Sequence, residues 1–136
     1  MTPSPRPNGT LVLDSEGLAK AVLQDRSVTR WLVLARAEDS RVVTSSATLV
    51  EVIHPRINRA ALDWRLSQIT VEPVGEQTAR EAARLLAEAG LHGHRHAIDA
   101  MLCSTALAAP GPVTILTSDP DDLRKLCGDK ATVIKI

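Results

Sequence analysis

Five short apolar segments, separated by stretches with helical periodicity, constrain the fold of this 136-residue chain more than any other feature. The segments have the length and composition of buried strands and lie at residues 11–13, 41–44, 69–74, 113–117 and 132–136. Strands that alternate with helices are joined by crossover connections, which make the strands parallel and place helices on both faces of the sheet. The sequence therefore predicts an α/β fold around a parallel sheet.

The helices between these strands have recognisable boundaries. A helix around Glu51 has Ser45 or Ser46 as a candidate N-cap and ends before Pro55, since proline disfavours a helical conformation in the preceding residue. Gly90 ends an Ala- and Leu-rich helix. The other predicted helices cover residues 15–24, 28–38, 57–67, 76–89, 97–108 and 120–127, and residues 91–95 are predicted to be a loop.

The chain length and the hydropathy pattern predict one domain, over residues 10–136, preceded by a flexible tail over residues 1–9. The tail is rich in proline and has no apolar core, so it does not resemble a signal peptide. No apolar run approaches the ~18 residues of a membrane span. Cys103 and Cys127 form no CxxC motif, and the prediction is two reduced thiols in a cytoplasmic protein.

The composition says little about a nucleic-acid partner. The 16 basic and 16 acidic side chains cancel, but a local basic patch can still bind phosphate. The chain has two tryptophans and no phenylalanine or tyrosine, which excludes a base-stacking platform of the RRM or OB type. Trp31 and Trp64 are therefore predicted to be core or subunit-interface residues.

Four acidic residues lie where a carboxylate is expected to be costly. Asp14 and Asp119 each follow an apolar strand, whereas Glu51 and Asp99 each interrupt an apolar helical stretch. A carboxylate beside a core costs free energy unless a counter-charge meets it. In open parallel sheets ligands bind at the carboxyl ends of the strands. A divalent cation shared at that edge would account for all four residues.

Each of the four residues also has a purely structural interpretation. Asp14 could cap a helix, although Ser15 is an equally good cap that would leave Asp14 free. Glu51 belongs to a helix apolar nearly all round, predicted to be buried, and could pair with Arg56 or Arg95. Asp99 suits the first turn of its helix, where the helix dipole favours negative charge. Asp119 before Pro120 is a common start of a helix.

The chemistry of the set favours a hard cation. Mg²⁺ and Mn²⁺ prefer carboxylate and water oxygens, and Mg²⁺ also binds substrate phosphate directly. Such an ion lowers the pKa of a bound water and stabilises the charge that develops on a phosphodiester. The acidic residues therefore predict phosphodiester hydrolysis.

The segment His92-Gly93-His94-Arg95-His96 has three interpretations: an exposed loop, a contact for RNA phosphates, or a zinc or nickel site. It lacks the spacing and the cysteine pair of a structural zinc finger. His94 and Arg95 beside the acidic residues, and Arg56 and Arg59 just after Glu51, are the candidate contacts for substrate phosphate.

Four segments together resemble the PIN-domain family, small metal-dependent ribonucleases that include the VapC toxins of bacterial toxin–antitoxin modules. They are Leu11-Val12-Leu13-Asp14-Ser15, Thr48-Leu49-Val50-Glu51-Val52, Ala97-Ile98-Asp99-Ala100-Met101 and Leu116-Thr117-Ser118-Asp119. The resemblance extends over nearly the whole chain and rests on the order of the segments along strand, helix, helix and strand. It implies an α/β/α sandwich with a parallel sheet of four to five strands.

The resemblance also implies roles for these residues. Asp14, Asp99 and Asp119 would bind Mg²⁺ or Mn²⁺, and Glu51 would position or activate the attacking water. Additional candidates at the site are Ser15, Thr117 and Asp122; whether Asp121 or Asp122 joins it stays open. The partners implied are RNA, a second copy of the chain in a homodimer, and an antitoxin protein whose C-terminal segment enters the acidic groove.

Two other classes of function remain open at the level of sequence. One is a catalytically silent PIN-like module that binds RNA or protein. The other is a Mg²⁺-dependent phosphotransfer protein, such as a phosphatase or a response-regulator receiver. A haloacid-dehalogenase-type phosphatase would need a second aspartate two residues after Asp14, where this chain has Glu16, and Lys135 is a poor match for the lysine of a receiver.

Overall fold

A single parallel sheet forms the centre of the molecule in the computed structural model, which describes residues 8–136. Its five strands lie in the order β3-β2-β1-β4-β5. Their bounds are β1 Thr10–Leu13, β2 Arg41–Ser45, β3 Thr70–Glu72, β4 Val113–Thr117 and β5 Thr132–Lys135. The predicted three-layer α/β/α sandwich with a parallel sheet is confirmed.

Helices cover both faces of this sheet, because successive side chains of a strand point to opposite sides. Leu11 and Leu13 of β1 pack into one apolar core, and Val12 packs into the other. The first core is formed with α1 (Ser15–Val22), α2 (Arg26–Ala37), α3 (Thr48–Val52) and α4 (Arg59–Leu66). The second is formed with α5 (Glu76–Ala89), α6 (Gly93–Ala108) and α7 (Pro120–Cys127).

The register of the sheet fixes where the site can form. Leu13 of β1 pairs with Leu116 of β4, so these two central strands end side by side. Asp14 directly follows the first strand, and Asp119 follows the second after one further residue, Ser118. Helices α1 and α7 begin at this same edge of the sheet. Residues from two strand ends and two helix starts thus lie along one edge.

Helix α6 begins earlier than the sequence predicts. Residues 91–95 were expected to be a loop, but the helix starts at Gly93 and bends at His96, whose backbone angles (φ −117°, ψ 15°) are not helical. The His96 N–H still donates to the His92 carbonyl at 3.0 Å, which holds the first turn together. The bend separates an exposed first turn from the helix body that contains Asp99.

Helix α3 is short and buried on one side only, so the prediction of a helix that is buried all round Glu51 is wrong. The Val50 side chain is 77% exposed, and Glu51 is also exposed. Neither candidate serine caps this helix. Ser45 accepts from the Ala47 N–H and Ser46 from the Val74 N–H, and the N-cap position is occupied by Ala47. Five residues are too few to bury an apolar face all round.

The two cysteines form a disulfide, contrary to the prediction of two reduced thiols. Cys103 of α6 and Cys127 at the end of α7 have Cα atoms 6.0 Å apart and joined sulfurs. The two cysteines are 24 residues apart, and no sequence motif predicts their pairing. It arises because α6 and α7 pack side by side on one face of the sheet.

Trp31 and Trp64 differ in their surroundings. Trp31 is half-buried against the core beneath α1–α4, as predicted, whereas Trp64 is 52% exposed and carries the Arg65 guanidinium 4.7 Å above its ring. At the start of the described chain, the Asn8 N–H donates to the Asp39 carbonyl and Gly9 is buried. The tail predicted over residues 1–9 otherwise lies outside the described residues. Within residues 8–136 no helix is both long and apolar enough to cross a membrane.

Candidate metal centre

Asp14 is buried at the end of the central strand and caps α1. Its side chain accepts a 2.8 Å hydrogen bond from the Gly17 N–H, so Asp14, and not Ser15, is the N-cap residue. Burial raises the pKa of the Asp14 carboxyl above its ordinary value, a shift that the hydrogen bonds from the Thr117 hydroxyl and the Gly17 N–H reduce. The structural interpretation is therefore correct for Asp14 Oδ1, which caps the helix.

Ser15 connects α1 to α3 through Glu51. Its hydroxyl donates to Glu51 Oε1 at 2.9 Å. Within residues 8–136 Glu51 forms no ion pair with Arg56 or Arg95, the partners that a purely structural role would require. The hydrogen bond restricts the Glu51 side chain and directs it toward the edge of the sheet where Asp14 lies.

Asp99 is the centre of the acidic cluster. Its pKa is raised to about 6, first by burial and then by the negative charges of Asp14, Glu51 and Asp122, while His96 acts in the opposite direction. The carboxylates of Asp14, Glu51 and Asp122 therefore lie close enough to Asp99 to repel it. This repulsion is a cost that a bound cation would remove.

Asp119 and Asp122 occupy different positions at the start of α7. Asp119 is exposed at the N-cap position but forms no side-chain capping bond, and its own N–H donates to Thr117 Oγ1 at 3.0 Å. Asp122 lies deeper: ligand atoms of His96, Asp99 and Asp122 are all within 4.8 Å of one another. The structure thus brings Asp122 to Asp99, while Asp119 stands at the exposed rim.

The candidate phosphate contacts are all solvent-accessible. His94 and Arg95 are exposed in the first turn of α6, and Arg56 is exposed in the segment between α3 and α4. Arg59 is exposed at the start of α4. His94 and Arg95 thus lie on the helix that carries Asp99, whereas Arg56 and Arg59 follow the helix that carries Glu51.

His96 was not among the candidate site residues, because the sequence analysis treated it only as part of the segment His92–His96, for which a metal site was one of three interpretations. It is buried, 9% exposed, and its Nδ1 lies 3.6 Å from Asp122 Oδ2. A usable signal was present: His96 precedes Asp99 by three residues, which places both side chains on one face of a helix.

The donors present fit a divalent cation. The negative charges of Asp14, Glu51 and Asp122 act on the half-buried Asp99 at this edge of the sheet, and hard cations such as Mg²⁺ bind carboxylate oxygens. No arginine or lysine of the described chain forms an ion pair with any of these four residues. A bound cation would therefore neutralise negative charge that no arginine or lysine of the described chain neutralises.

Comparisons with known proteins place the fold in a family. A family model described as "PIN domain" matches residues 11–129. A structure of VapBC2 from Rickettsia felis bound to a DNA fragment from its promoter is similar, with a TM-score of 0.71 at 19% identity, covering 93% of this chain and 98% of the matched chain. A structure of FitAB bound to an IR36 DNA fragment gives a TM-score of 0.61 at 18% identity, covering 92% and 94%.

No curated protein matches the sequence significantly. The family model covers most of the chain, and this chain belongs to the PIN-domain family, whose members are generally nucleases. The resemblance found in the four sequence segments is thereby confirmed at the level of the family.

Proposed function

We propose that this PIN-domain protein is a divalent-metal-dependent endoribonuclease that hydrolyses RNA phosphodiesters. The observation that carries the proposal is the convergence of Asp14, Glu51 and Asp99 at the carboxyl ends of the central strands, where burial and then the neighbouring carboxylates raise the pKa of Asp99 to about 6. Repulsion between the carboxylates destabilises such a cluster, and a bound divalent cation relieves this repulsion.

In this proposal each acidic residue has a role. Asp14, Asp99 and Asp119 hold Mg²⁺ or Mn²⁺, with Asp122 as a further ligand on the Asp99 side. Glu51, oriented by its hydrogen bond from Ser15, positions or activates the attacking water. When bound, the cation would acidify that water and stabilise charge on the phosphodiester.

The RNA would reach the acidic edge through exposed basic residues. His94, Arg95 and Arg56 are proposed to contact backbone phosphates beside the site. Phosphate contacts of this type hold the substrate without reading its sequence. A local basic patch suffices for this role in a chain whose net charge is zero.

We further propose that the protein is the toxin of a two-protein module and is inhibited by a cognate antitoxin. The likeness to the VapBC2 and FitAB structures supports this role. A neighbouring reading frame for a small DNA-binding protein would strengthen it. Homodimerisation and a cytoplasmic location remain part of the proposal, although the disulfide removes the reduced thiols as an argument for the cytoplasm.

The test is cleavage of a fluorescently labelled RNA in Mn²⁺ by the wild type and by the Asp14→Asn and Asp99→Asn variants. The expected result is cleavage that EDTA abolishes and that both variants lose. Asp121→Asn is the matched control, because Asp121 belongs to the same edge but its side chain is 83% exposed and lies 3.9 Å from Arg124. Undiminished cleavage by both site variants would contradict the proposal.

A catalytically silent binding module is the other candidate. It predicts that the wild type binds RNA in the presence of Mn²⁺ without shortening it over long incubation. The family match does not support the phosphotransfer proteins considered above.

A further inference from the structure

Of the three histidines between residues 92 and 96, one differs sharply from the others. His92 and His94 are exposed, whereas His96 is buried at the bend of α6. The bend turns this side chain away from the first turn and toward α7. The alternating histidines therefore do not act as one motif, and His96 needs its own explanation.

The His96 side chain is nine-tenths buried and forms no hydrogen bond with another side chain of the described residues. Its exposed fraction is 10%, and Nδ1 lies 3.6 Å from Asp122 Oδ2, which is longer than a hydrogen bond. Over residues 8–136 the imidazole forms no other side-chain hydrogen bond or ion pair. The imidazole thus faces two carboxylates without a hydrogen bond to either, and an ion placed between the three side chains can take one of its nitrogens as a ligand.

The geometry of the three residues suits one ion. His96 and Asp99 are one helical turn apart on α6, and Asp122 reaches them from the first turn of α7. One ligand atom from each lies within 4.8 Å of the others, a separation that a central cation can span. The Asp122 side chain is 27% exposed, so the position remains open to solvent and to exchange of the ion.

We propose that His96, Asp99 and Asp122 form a mixed nitrogen–oxygen site that takes a first-row transition-metal dication in preference to Mg²⁺. Imidazole is a good ligand for such metals, whereas Mg²⁺ binds oxygen donors and dehydrates reluctantly. The inference deepens the proposed function, because Asp99 is common to both sets of ligands. His96 would make this chain selective for Mn²⁺ or a later metal.

A competing explanation is that a protonated His96 itself neutralises Asp99 and Asp122. In that case His96 would be an internal substitute for a metal, and its removal would leave metal binding equal or stronger. The two explanations predict opposite effects of the same substitution.

The test uses the full chain with Mn²⁺ as the probe and RNA absent. Electron spin echo measurements on bound Mn²⁺ are expected to show a coupled ¹⁴N nucleus from a coordinated imidazole. His96→Phe keeps a buried ring and removes both nitrogens, and His96→Asn serves if the first variant does not fold by circular dichroism. His94→Asn is the control, because His94 is exposed two residues away.

In both His96 variants the ¹⁴N coupling should vanish, and Mn²⁺ affinity measured by calorimetry should fall about tenfold or more, since even residues that only support a ligand cost that much. Mg²⁺ affinity should change far less, and His94→Asn should behave as the wild type. Wild-type Mn²⁺ without nitrogen coupling, or unchanged Mn²⁺ affinity in a folded His96 variant, would overturn the site. RNA cleavage without nitrogen coupling would support the proposed function and contradict the His96 site. Nitrogen coupling without RNA cleavage would support the His96 site and contradict the proposed function.

Discussion

Asp14 combines two tasks that the sequence alone presented as alternatives. One oxygen caps α1 through the Gly17 N–H, and the carboxyl also belongs to the cluster that raises the pKa of Asp99. A residue with both tasks responds differently to two substitutions, because asparagine retains the capping oxygen and alanine does not.

We expect Asp14→Ala to destabilise the metal-free protein by about 1 kcal/mol relative to Asp14→Asn, the usual cost of a lost N-cap. Urea unfolding in EDTA measures the difference. Both variants should lose Mn²⁺-dependent cleavage. Equal stability of the two variants would show that the capping bond contributes nothing.

Asp99 should make the stability of the metal-free protein depend on pH. Its pKa rises from 3.8 to about 6 on folding, so the folded protein binds more protons than the unfolded chain between these values. The contribution of Asp99 is therefore fully present below about pH 4 and is lost as the pH rises through about 6. The raised pKa of Asp14 acts in the same direction.

The corresponding prediction is that Asp99→Asn raises the melting temperature in EDTA at pH 7 by about 3 °C and flattens its change between pH 4 and 6. Thermal unfolding across that range tests both effects, with Asp121→Asn as the control. A variant that melts below the wild type at pH 7 would show that Asp99 is stabilised by contacts other than a cation.

At the scale of elements, the start of α1 is packed tightly against the end of β4. A Cβ at Gly17 would lie 3.1 Å from the Leu116 carbonyl oxygen and 3.4 Å from Asp14 Oδ1. The first of these atoms is backbone and cannot rotate away. Glycine at this position therefore allows helix, strand and capping carboxylate to approach closely.

Gly17→Ala should cost on the order of 1 kcal/mol, because overpacking outweighs the gain in helix propensity. It should also weaken Mn²⁺ binding by displacing Asp14. Gly93→Ala is the matched control on α6, where the nearest side-chain atom to a new Cβ is 3.9 Å away. Urea unfolding measures the stability of the two variants, and calorimetry measures their Mn²⁺ affinity. Equal stability and equal affinity in both variants would contradict the close packing at Gly17.

Most elements were predictable, because apolar periodicity and proline or glycine boundaries are local signals. The sequence predicts α5 (Glu76–Ala89) and α7 (Pro120–Cys127) with the bounds that the structure has. The errors concern long-range geometry. The pairing of Cys103 with Cys127, the exposure of α3 and the inward turn of His96 all depend on how helices pack, which local periodicity does not encode.

The candidate site was predictable in part for the same reason. Asp14 and Asp99 were recognisable because a carboxylate beside apolar neighbours is costly wherever it lies. Asp122 was ambiguous, because three acidic residues open α7 and only the packing of α7 against α6 selects the one that meets Asp99.

At the scale of the whole molecule, the surface opposite α5–α7 offers a place for a partner. A groove of about 1250 Å³ between α2 and α4 is lined by exposed apolar side chains, including Val33, Leu34 and Trp64. Four arginines also line it (Arg26, Arg30, Arg36 and Arg65), and no acidic residue of the described chain does. Apolar and basic character together would suit an acidic amphipathic segment of the antitoxin proposed above.

Arg30→Glu should weaken binding of the proposed antitoxin roughly tenfold at low salt, and less at high salt, because charge at an exposed groove is screened. Surface plasmon resonance at two salt concentrations measures the effect. Arg80→Glu is the control, since Arg80 lies on α5 and pairs with Glu76 at 2.7 Å. Equal losses in both variants would place the partner elsewhere.

The central claim is that the carboxylates at the ends of the central strands share a divalent cation. Anomalous diffraction from crystals soaked in Mn²⁺ tests it most directly, because the signal locates the ion independently of any activity. The predicted result is a peak within coordination distance of the Asp14 and Asp99 carboxylates. Crystals that show manganese only at other surface carboxylates, while the same preparation cleaves RNA in solution, would contradict it.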